Sequence, residues 1–194
     1  MSPTNSTESV LLFEKQSDWV RWLAKNHGTS SGVWLRLAKK SSGKPSVTYA
    51  EAVDTALCQG WIDGQKKSDN EQYWLQKFTP RTTKSIWSKI NRDRVLLLIE
   101  RGEMKAAGLK EVERAKDDGR WASVYDSAKT AQVPDDFQDA LDLNKKAKDF
   151  FDTLSGQNRY AVLFRIQTAK KPETRNKRIQ AFIHMLENHE KLYP

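Results

Sequence analysis

Apolar and polar residues alternate in the amino-terminal half of the chain in the way that β-strands require. Within residues 33–39, the apolar residues Val33, Leu35 and Leu37 occupy alternate positions, and this alternation predicts a half-buried strand. Two more segments, 61–67 and 72–79, are predicted to be strands and are separated by a short polar turn over 68–70. Such a pair of segments predicts a β-hairpin. The sequence therefore predicts a small antiparallel sheet of about three strands.

Helical periodicity precedes, interrupts and follows this sheet. Ser17 is predicted to cap a helix over 18–26, and Thr48 with Glu51 forms the pattern of a capping box before a second helix. After Pro80 the pattern of apolar residues becomes helical, apart from an irregular stretch over 121–133. These patterns together predict an α+β fold, in which a small antiparallel sheet packed with helices is followed by a helical carboxyl-terminal part.

The same patterns divide the chain into three segments. Residues 1–10 are rich in Ser and Thr and are expected to form a disordered tail. Residues 11–122 form the α+β region, and residues 134–190 form the helical carboxyl-terminal domain. The two larger segments are either separate or share one core.

Net charge narrows the classes of ligand. The 194 residues carry a formal charge of +8, and six basic residues stand against one acidic residue both between 77 and 94 and between 161 and 178. Clusters of this kind attract anions, although each is also compatible with a solvated surface. Trp74, Phe78 and Trp87 lie among the first cluster and favour flat anionic ligands. The expected partner is an anionic small molecule or a nucleotide, with an acidic protein or non-specific nucleic acid as alternatives.

Several other chemistries lack support in the sequence. Sequence-specific nucleic-acid binding is not expected, because no helix-turn-helix, RNP-type or zinc-finger pattern occurs. His27, His184 and His189 are scattered and Cys58 is the only cysteine, so we expect no metal and no other cofactor. A single cysteine also fits a reducing compartment, and we expect a cytoplasmic location. The longest apolar run has five residues, which predicts no membrane span.

The stretch from Gly60 to Gly64 is the leading candidate for chemistry. Gly60 suits the left-handed end of a helix, and Gly64 suits a close approach of another backbone or a ligand. Asp63, beside Trp61, is a candidate general acid or base, and its alternative role is to stabilise a turn or to pair with a cation. Cys58 is expected to be a small buried residue rather than a nucleophile.

Residues that could bind an anionic ligand surround this stretch in the sequence. Arg81 follows a proline and could clamp a carboxylate or phosphate, whereas Lys89 and its neighbours lie in the first turn of a helix, where anions are favoured. Trp61 and Trp87 are either stacking platforms or core residues. The predicted ligand-binding residues are Tyr49, Trp61, Arg81, Trp87, Lys89, Asn91 and Arg92. They would line a pocket between the sheet and the carboxyl-terminal helices. A binding module, an enzyme that uses Asp63, and an interaction surface all remain open.

Several strings of residues are distributed along the chain and together are typical of one family. They include Gly32-Val33-Trp34-Leu35, Lys39-Lys40-Ser41-Ser42-Gly43-Lys44-Pro45, Gly60-Trp61-Ile62-Asp63-Gly64, Phe78-Thr79-Pro80-Arg81, Gly119-Arg120-Trp121 and Lys170-Lys171-Pro172-Glu173-Thr174-Arg175. With these strings the chain resembles the YdeI/OmpD-associated family, also called bacteriocin-protection proteins, over about residues 10–190. The resemblance implies the helical carboxyl-terminal domain of that family. It also implies a soluble cytoplasmic protein linked to tolerance of bacteriocins or cationic antimicrobial peptides, with no agreed enzyme activity.

Overall fold

A computed structural model describes residues 9–194 and divides the chain into two compact units. The first unit comprises the described residues up to Ile86 together with Asn91–Ala122, and the second comprises Trp87–Ile90 with Ser123–Pro194. Most of the predicted tail, residues 1–8, lies outside the described residues. The tail was predicted to reach residue 10, but Val10 already begins a strand.

The sheet of the first unit has four strands in the order β1-β2-β4-β3. Antiparallel pairing joins β2 to β4 and β4 to β3, which confirms the predicted hairpin, whereas β1 pairs with β2 in parallel. The sequence prediction missed β1 because it has three residues, two of them exposed, and its pairing is not local. The strands are β1 (Val10–Leu12), β2 (Val33–Ala38), β3 (Trp61–Ser68) and β4 (Tyr73–Pro80).

Four helices accompany this sheet. The capping box predicted before the second of them is present, since the Thr48 hydroxyl accepts from the Glu51 amide and the Glu51 carboxylate accepts from the Thr48 amide at 2.8 Å. The predicted cap at Ser17 is wrong, because the first helix begins at Gln16, two residues before the predicted start, and Lys15 precedes it without a side-chain cap. The helices are α1 (Gln16–Asn26), α2 (Tyr49–Cys58), α3 (Lys89–Glu100) and α4 (Ala106–Asp117).

Tryptophan rings fill the core between the sheet and the first two helices. Trp19 is fully buried, packs against Phe78 at 5.6 Å between ring centroids, and donates its indole N–H to the Ala52 carbonyl. Trp61 donates in the same way to the His27 carbonyl at 3.1 Å. Each indole therefore buries a large apolar area while its polar group stays satisfied.

The junction between α2 and β3 is a contact of backbone against backbone. Gly60 has a φ of +74°, as predicted for a helix end, and a Cβ there would lie 2.9 Å from the Ala107 carbonyl oxygen. A Cβ on Gly108 would lie 2.4 Å from the Cys58 carbonyl oxygen. These two glycines let α4 cross the end of α2 directly. Gly64, by contrast, has no close backbone contact, since a Cβ there would lie 3.9 Å from the Lys77 carbonyl oxygen, and the approach of a ligand to it stays a prediction.

Four further helices build the second unit around their own apolar core. The core contains Phe137, Phe151, Val162, Ile166 and Leu186, all at most 1% exposed. Pro172 occupies the first turn of the last helix, as predicted. The helices are α5 (Asp135–Asp142), α6 (Lys145–Thr153), α7 (Gly156–Gln167) and α8 (Pro172–Glu187).

Arginines from the second basic cluster satisfy the carboxyl-terminal end of α7. Arg175 donates to the Ile166 carbonyl at 3.0 Å, and Arg178 donates to the Arg165 carbonyl. The last carbonyls of a helix have no partner inside the helix, so these contacts replace missing hydrogen bonds. Part of the positive charge in this cluster therefore stabilises the fold.

Between residues 9 and 194, no helix combines the length and the apolar character that crossing a bilayer would require.

Candidate anion-binding site

Tyr49 and Asp63, which are 14 residues apart, meet in the first unit. Tyr49 is the first residue of α2, and its hydroxyl donates to the Asp63 carboxylate on β3 at 2.6 Å. The capping box fixes the start of α2, and the pairing of Asp63 with Phe78 fixes the other partner. The Tyr49 ring is 42% exposed, so it can contact a ligand while its hydroxyl stays bonded.

A cavity of about 350 Å³ lies beside this tyrosine. We call it the lysine cavity, because three of its ten lining residues are lysines and none is acidic. Two aromatic rings, those of Tyr49 and Trp74, form part of its wall, with centroids 5.8 Å apart and planes inclined by 48°. The lining residues are Leu37, Ala38, Lys39, Lys40, Gly43, Lys44, Ser46, Thr48, Tyr49 and Trp74.

The three lysines of this cavity differ in how they are held. Lys39 is tied to the tip of the β3–β4 hairpin, because its ammonium donates to the Asn70 carbonyl and its amide donates to the Gln72 carbonyl, both at 2.8 Å. Lys40 and Lys44 are exposed, and within the described residues neither forms an ion pair. Among residues 9–194, no carboxylate therefore forms an ion pair with either of these two ammonium groups.

Two of the predicted binding residues lie in the core. Trp61 is 1% exposed and Trp87 is 2% exposed, so neither ring presents a face to solvent. Trp61 stands edge-on to Trp22 at 6.0 Å between ring centroids. Burial of both rings agrees with the core role, which was one of the two roles that the sequence left open for each.

Arg81 is also buried, at 5% exposure, and lies next to a loop of residues 82–86. Its guanidinium donates to the Ile86 carbonyl at 3.3 Å, and its amide donates to the Gly60 carbonyl at 2.9 Å. Arg120, which the sequence prediction did not single out, holds the same loop through the Ser85 carbonyl at 2.6 Å and is anchored by Asp118. Both guanidiniums thus stabilise one loop, and the predicted clamp role of Arg81 stays a prediction.

The remaining predicted residues lie at the start of α3. Lys89 is exposed and belongs to the second unit, where its amide donates to the Tyr125 carbonyl at 2.9 Å. Asn91 and Arg92 belong to the first unit, and the Arg92 guanidinium contacts the adjacent Asp93 at 3.2 Å. Tyr49 and Asp63 are two of the predicted site residues, and a hydrogen bond brings them together.

Sequence reasoning missed the lysine cavity as a site. Lys39 and Lys40 were noticed as charges near a strand end, and Trp74 as an aromatic residue within a basic cluster, but the two groups are more than thirty positions apart. The register of β2 against β4 brings them together by pairing Leu37 with Trp74. A strand register is a non-local property, so the charge pattern alone could not reveal this cavity.

The single thiol lies in an environment that suppresses its reactivity. Cys58 is 8% exposed, and burial raises the pKa of its thiol to about 11. Since the thiolate is the nucleophile, this agrees with the predicted role as a small buried residue. Between residues 9 and 194 no group of three or more His, Cys, Asp or Glu side chains could hold a metal ion.

Comparison with known families divides the chain in two. Residues 11–111, just over half of the chain, match a family described as a domain of unknown function, DUF8412. The chain belongs to the DUF8412 family. Residues 130–189 match the family described as bacteriocin-protection, YdeI or OmpD-associated, which confirms the resemblance inferred from the sequence. No curated protein and no solved structure matched the chain.

The two matches cover different parts of the chain, and only the second part matches the family that the sequence resembles. The YdeI/OmpD-associated match covers the helical segment from α5 to α8, apart from the last residues of the chain. The strings quoted between Gly32 and Arg81 fall in the DUF8412 region, as do Tyr49, Asp63 and the lysine cavity. The candidate site therefore belongs to the domain of unknown function.

Proposed function

We propose that this protein binds a small organic anion that carries a flat ring, and that the lysine cavity is the binding site. The observation that carries the proposal is the lining of this cavity, which includes three lysines and two aromatic residues and no acidic residue. Clustered like charges in a concave site lower the free energy of a bound counter-charge. The volume of about 350 Å³ lies within the usual range for small-molecule sites.

This proposal moves the anion site away from the residues that the sequence favoured. Arg81 and Trp87 are buried, and the charge on Arg92 is partly neutralised by Asp93. Lys40 and Lys44 keep exposed ammonium groups that can contact a ligand without disrupting the fold. Of the predicted binding residues, Tyr49 is the one that also lines the lysine cavity.

Thermal unfolding at low salt, with dicarboxylates, sugar phosphates and nucleotides as probes, tests the proposal. A ligand that binds the folded state at about 100 times its dissociation constant adds roughly 2.7 kcal/mol to the free energy of unfolding, so at least one class of anion is expected to raise Tm. The double variant K40A/K44A is expected to lose this rise. Lys110→Ala removes a lysine that is exposed on α4, outside the lysine cavity, and is the matched control. An absence of any rise, or an equal rise in the double variant, contradicts the proposal.

The Tyr49–Asp63 hydrogen bond supports a second candidate function, an enzyme acting on the same class of anion. Tyr49 lines the lysine cavity and its hydroxyl is 2.6 Å from a carboxylate, so Asp63 could accept the phenol proton as Tyr49 deprotonates a ligand group. Asp63→Asn would keep ligand affinity and abolish product formation, measured by chromatography of the incubated ligand. Equal product with wild type and Asp63→Asn, or none with wild type, would remove this candidate.

Biological context adds a constraint on the ligand. The description of the carboxyl-terminal family mentions bacteriocin protection, and the resemblance to that family implies tolerance of bacteriocins or cationic antimicrobial peptides. A protein with a net charge of +8 repels a cationic peptide, so any protective role would act through an anionic ligand or partner. A cytoplasmic location is part of the proposal, because the one cysteine provides no internal disulfide.

A further inference from the structure

The positive charge of the lysine cavity favours some classes of anion over others. Lys39, Lys40 and Lys44 all line the cavity, and no acidic lining residue compensates them. A phosphate monoester carries a charge of about −1.5 to −2 at pH 7, whereas a carboxylate carries about −1. Each ammonium is a compact charge with three donors that needs no fixed planar geometry, which suits the tetrahedral oxygens of a phosphate. A phosphomonoester therefore matches this lining better than a monocarboxylate.

The loop that carries two of these lysines leaves room for such a group. Residues 40–42 form a short 3-10 turn, and Gly43 follows with a φ of +63°. A Cβ on Gly43 would meet no atom within 4 Å, so the space at this point of the loop is open. The left-handed glycine redirects the chain between Lys40 and Lys44, and both residues line the cavity.

The aromatic wall provides the second half of a recognition site. Tyr49 and Trp74 are inclined by 48° with centroids 5.8 Å apart, and Trp74 is partly exposed. A flat ring that stacks on an aromatic side chain is stabilised largely regardless of which base it is. The cavity volume of about 350 Å³ is near the lower end of the range for small-molecule sites, so it suits one ring with one phosphate rather than a dinucleotide.

We propose that the ligand of the lysine cavity is a mononucleotide, with its phosphate bound by Lys40 and Lys44 and its base against Trp74 and Tyr49. This inference rests on the proposed function and makes it more specific. In this assignment the loop of residues 39–44 binds the phosphate and the two aromatic rings bind the base. Fragments of the ligand that carry only the base or only the phosphate can therefore test the two contacts separately.

Isothermal titration calorimetry of the full chain at low salt measures the two contacts separately. The probes are adenosine monophosphate, adenosine and ribose 5-phosphate. Adenosine monophosphate is expected to bind at least about tenfold more tightly than either fragment, because each fragment lacks one set of contacts. Equal affinity for adenosine monophosphate and ribose 5-phosphate would overturn the base contact and leave anion binding intact.

Variants assign each contact to its residues. Lys44→Ala is expected to lower the affinity for adenosine monophosphate about tenfold and to leave the affinity for adenosine unchanged. Trp74→Leu is expected to lower the affinities for adenosine monophosphate and adenosine and to leave the affinity for ribose 5-phosphate unchanged. Trp74→Phe keeps an aromatic ring and is expected to keep most of the affinity. Lys110→Ala is the charge-matched control for Lys44→Ala, and the Tm of each variant verifies that it folds.

Each other outcome contradicts a different part of the inference. Binding of a dicarboxylate without binding of any phosphate-bearing probe would overturn the mononucleotide and spare the proposed function. Binding of adenosine monophosphate that is insensitive to Lys44→Ala and to K40A/K44A would overturn the loop assignment. Failure of every anion to bind would overturn both this inference and the proposed function.

Discussion

Gly60 has a φ of +74°, in the left-handed region. A Cβ on this residue would also lie only 2.9 Å from the Ala107 carbonyl oxygen. Gly102 has a similar φ of +67°, but a Cβ there would meet nothing within 4 Å. The two positions share one backbone requirement and differ in their surroundings. They therefore separate the cost of a left-handed conformation from the cost of steric crowding.

Gly60→Ala is expected to destabilise the protein more than Gly102→Ala does. Both variants place alanine in the left-handed region, at a cost of about 1 to 2 kcal/mol. Gly60→Ala adds overpacking against α4, at a further cost of about 1 to 3 kcal/mol. Chemical denaturation monitored by tryptophan fluorescence measures both free energies of unfolding. Equal destabilisation by the two variants would show that α4 moves away without resistance.

At the scale of elements, the carboxyl-terminal end of α7 depends on residues from two other helices. Arg175 on α8 donates to the Ile166 carbonyl and also forms two hydrogen bonds with the Asp136 carboxylate on α5, at 2.6 and 2.8 Å. One guanidinium thus joins three helices of the second unit. The hydrogen bonds from Arg175 lower the pKa of Asp136.

The lowered pKa of Asp136 makes part of the stability dependent on pH. A carboxyl group with a folded-state pKa below its unfolded value of about 3.9 stabilises the fold above that value, and this contribution is lost as pH falls through the folded-state pKa. Because the pair is partly exposed, we expect it to contribute at most about 1 kcal/mol. Denaturation of wild type and Asp136→Asn between pH 2 and 6 measures it.

The difference between these two proteins is expected to be constant at pH 5 to 6 and to shrink at lower pH. Asp139→Asn, which removes an exposed carboxylate from the same helix, is the matched control and is expected to show a smaller effect. A difference that grows as pH falls would contradict the assigned role of Arg175.

Elements with local signals could be predicted from the sequence, and those without could not. The capping box at Thr48, the hairpin around residues 68–72 and the proline in the first turn of α8 each depend on residues within a few positions of one another. Strand β1 depends on parallel pairing with residues more than twenty positions away. The contact of Gly108 with the end of α2 is likewise non-local, and a glycine inside a helix gives no sign of its neighbour.

At the scale of the whole molecule, net charge was a poor guide to the position of the candidate site. Several arginines of the two basic clusters, including Arg81, Arg175 and Arg178, donate to backbone carbonyls and so stabilise the fold. The three lysines of the cavity come from a short loop outside both clusters. Charge pattern predicted the class of ligand that we propose, whereas its position required the register of the sheet.

Lys39 belongs both to the lysine cavity and to the tip of the β3–β4 hairpin, through its hydrogen bonds with Asn70 and Gln72. The consequence is kinetic. A motion that carries Lys39 away from the cavity breaks both hydrogen bonds, so it is coupled to the tip of the hairpin. If the proposed ligand needs this motion to leave, substitutions that loosen the hairpin tip are expected to shorten its bound lifetime, although the tip itself does not line the cavity.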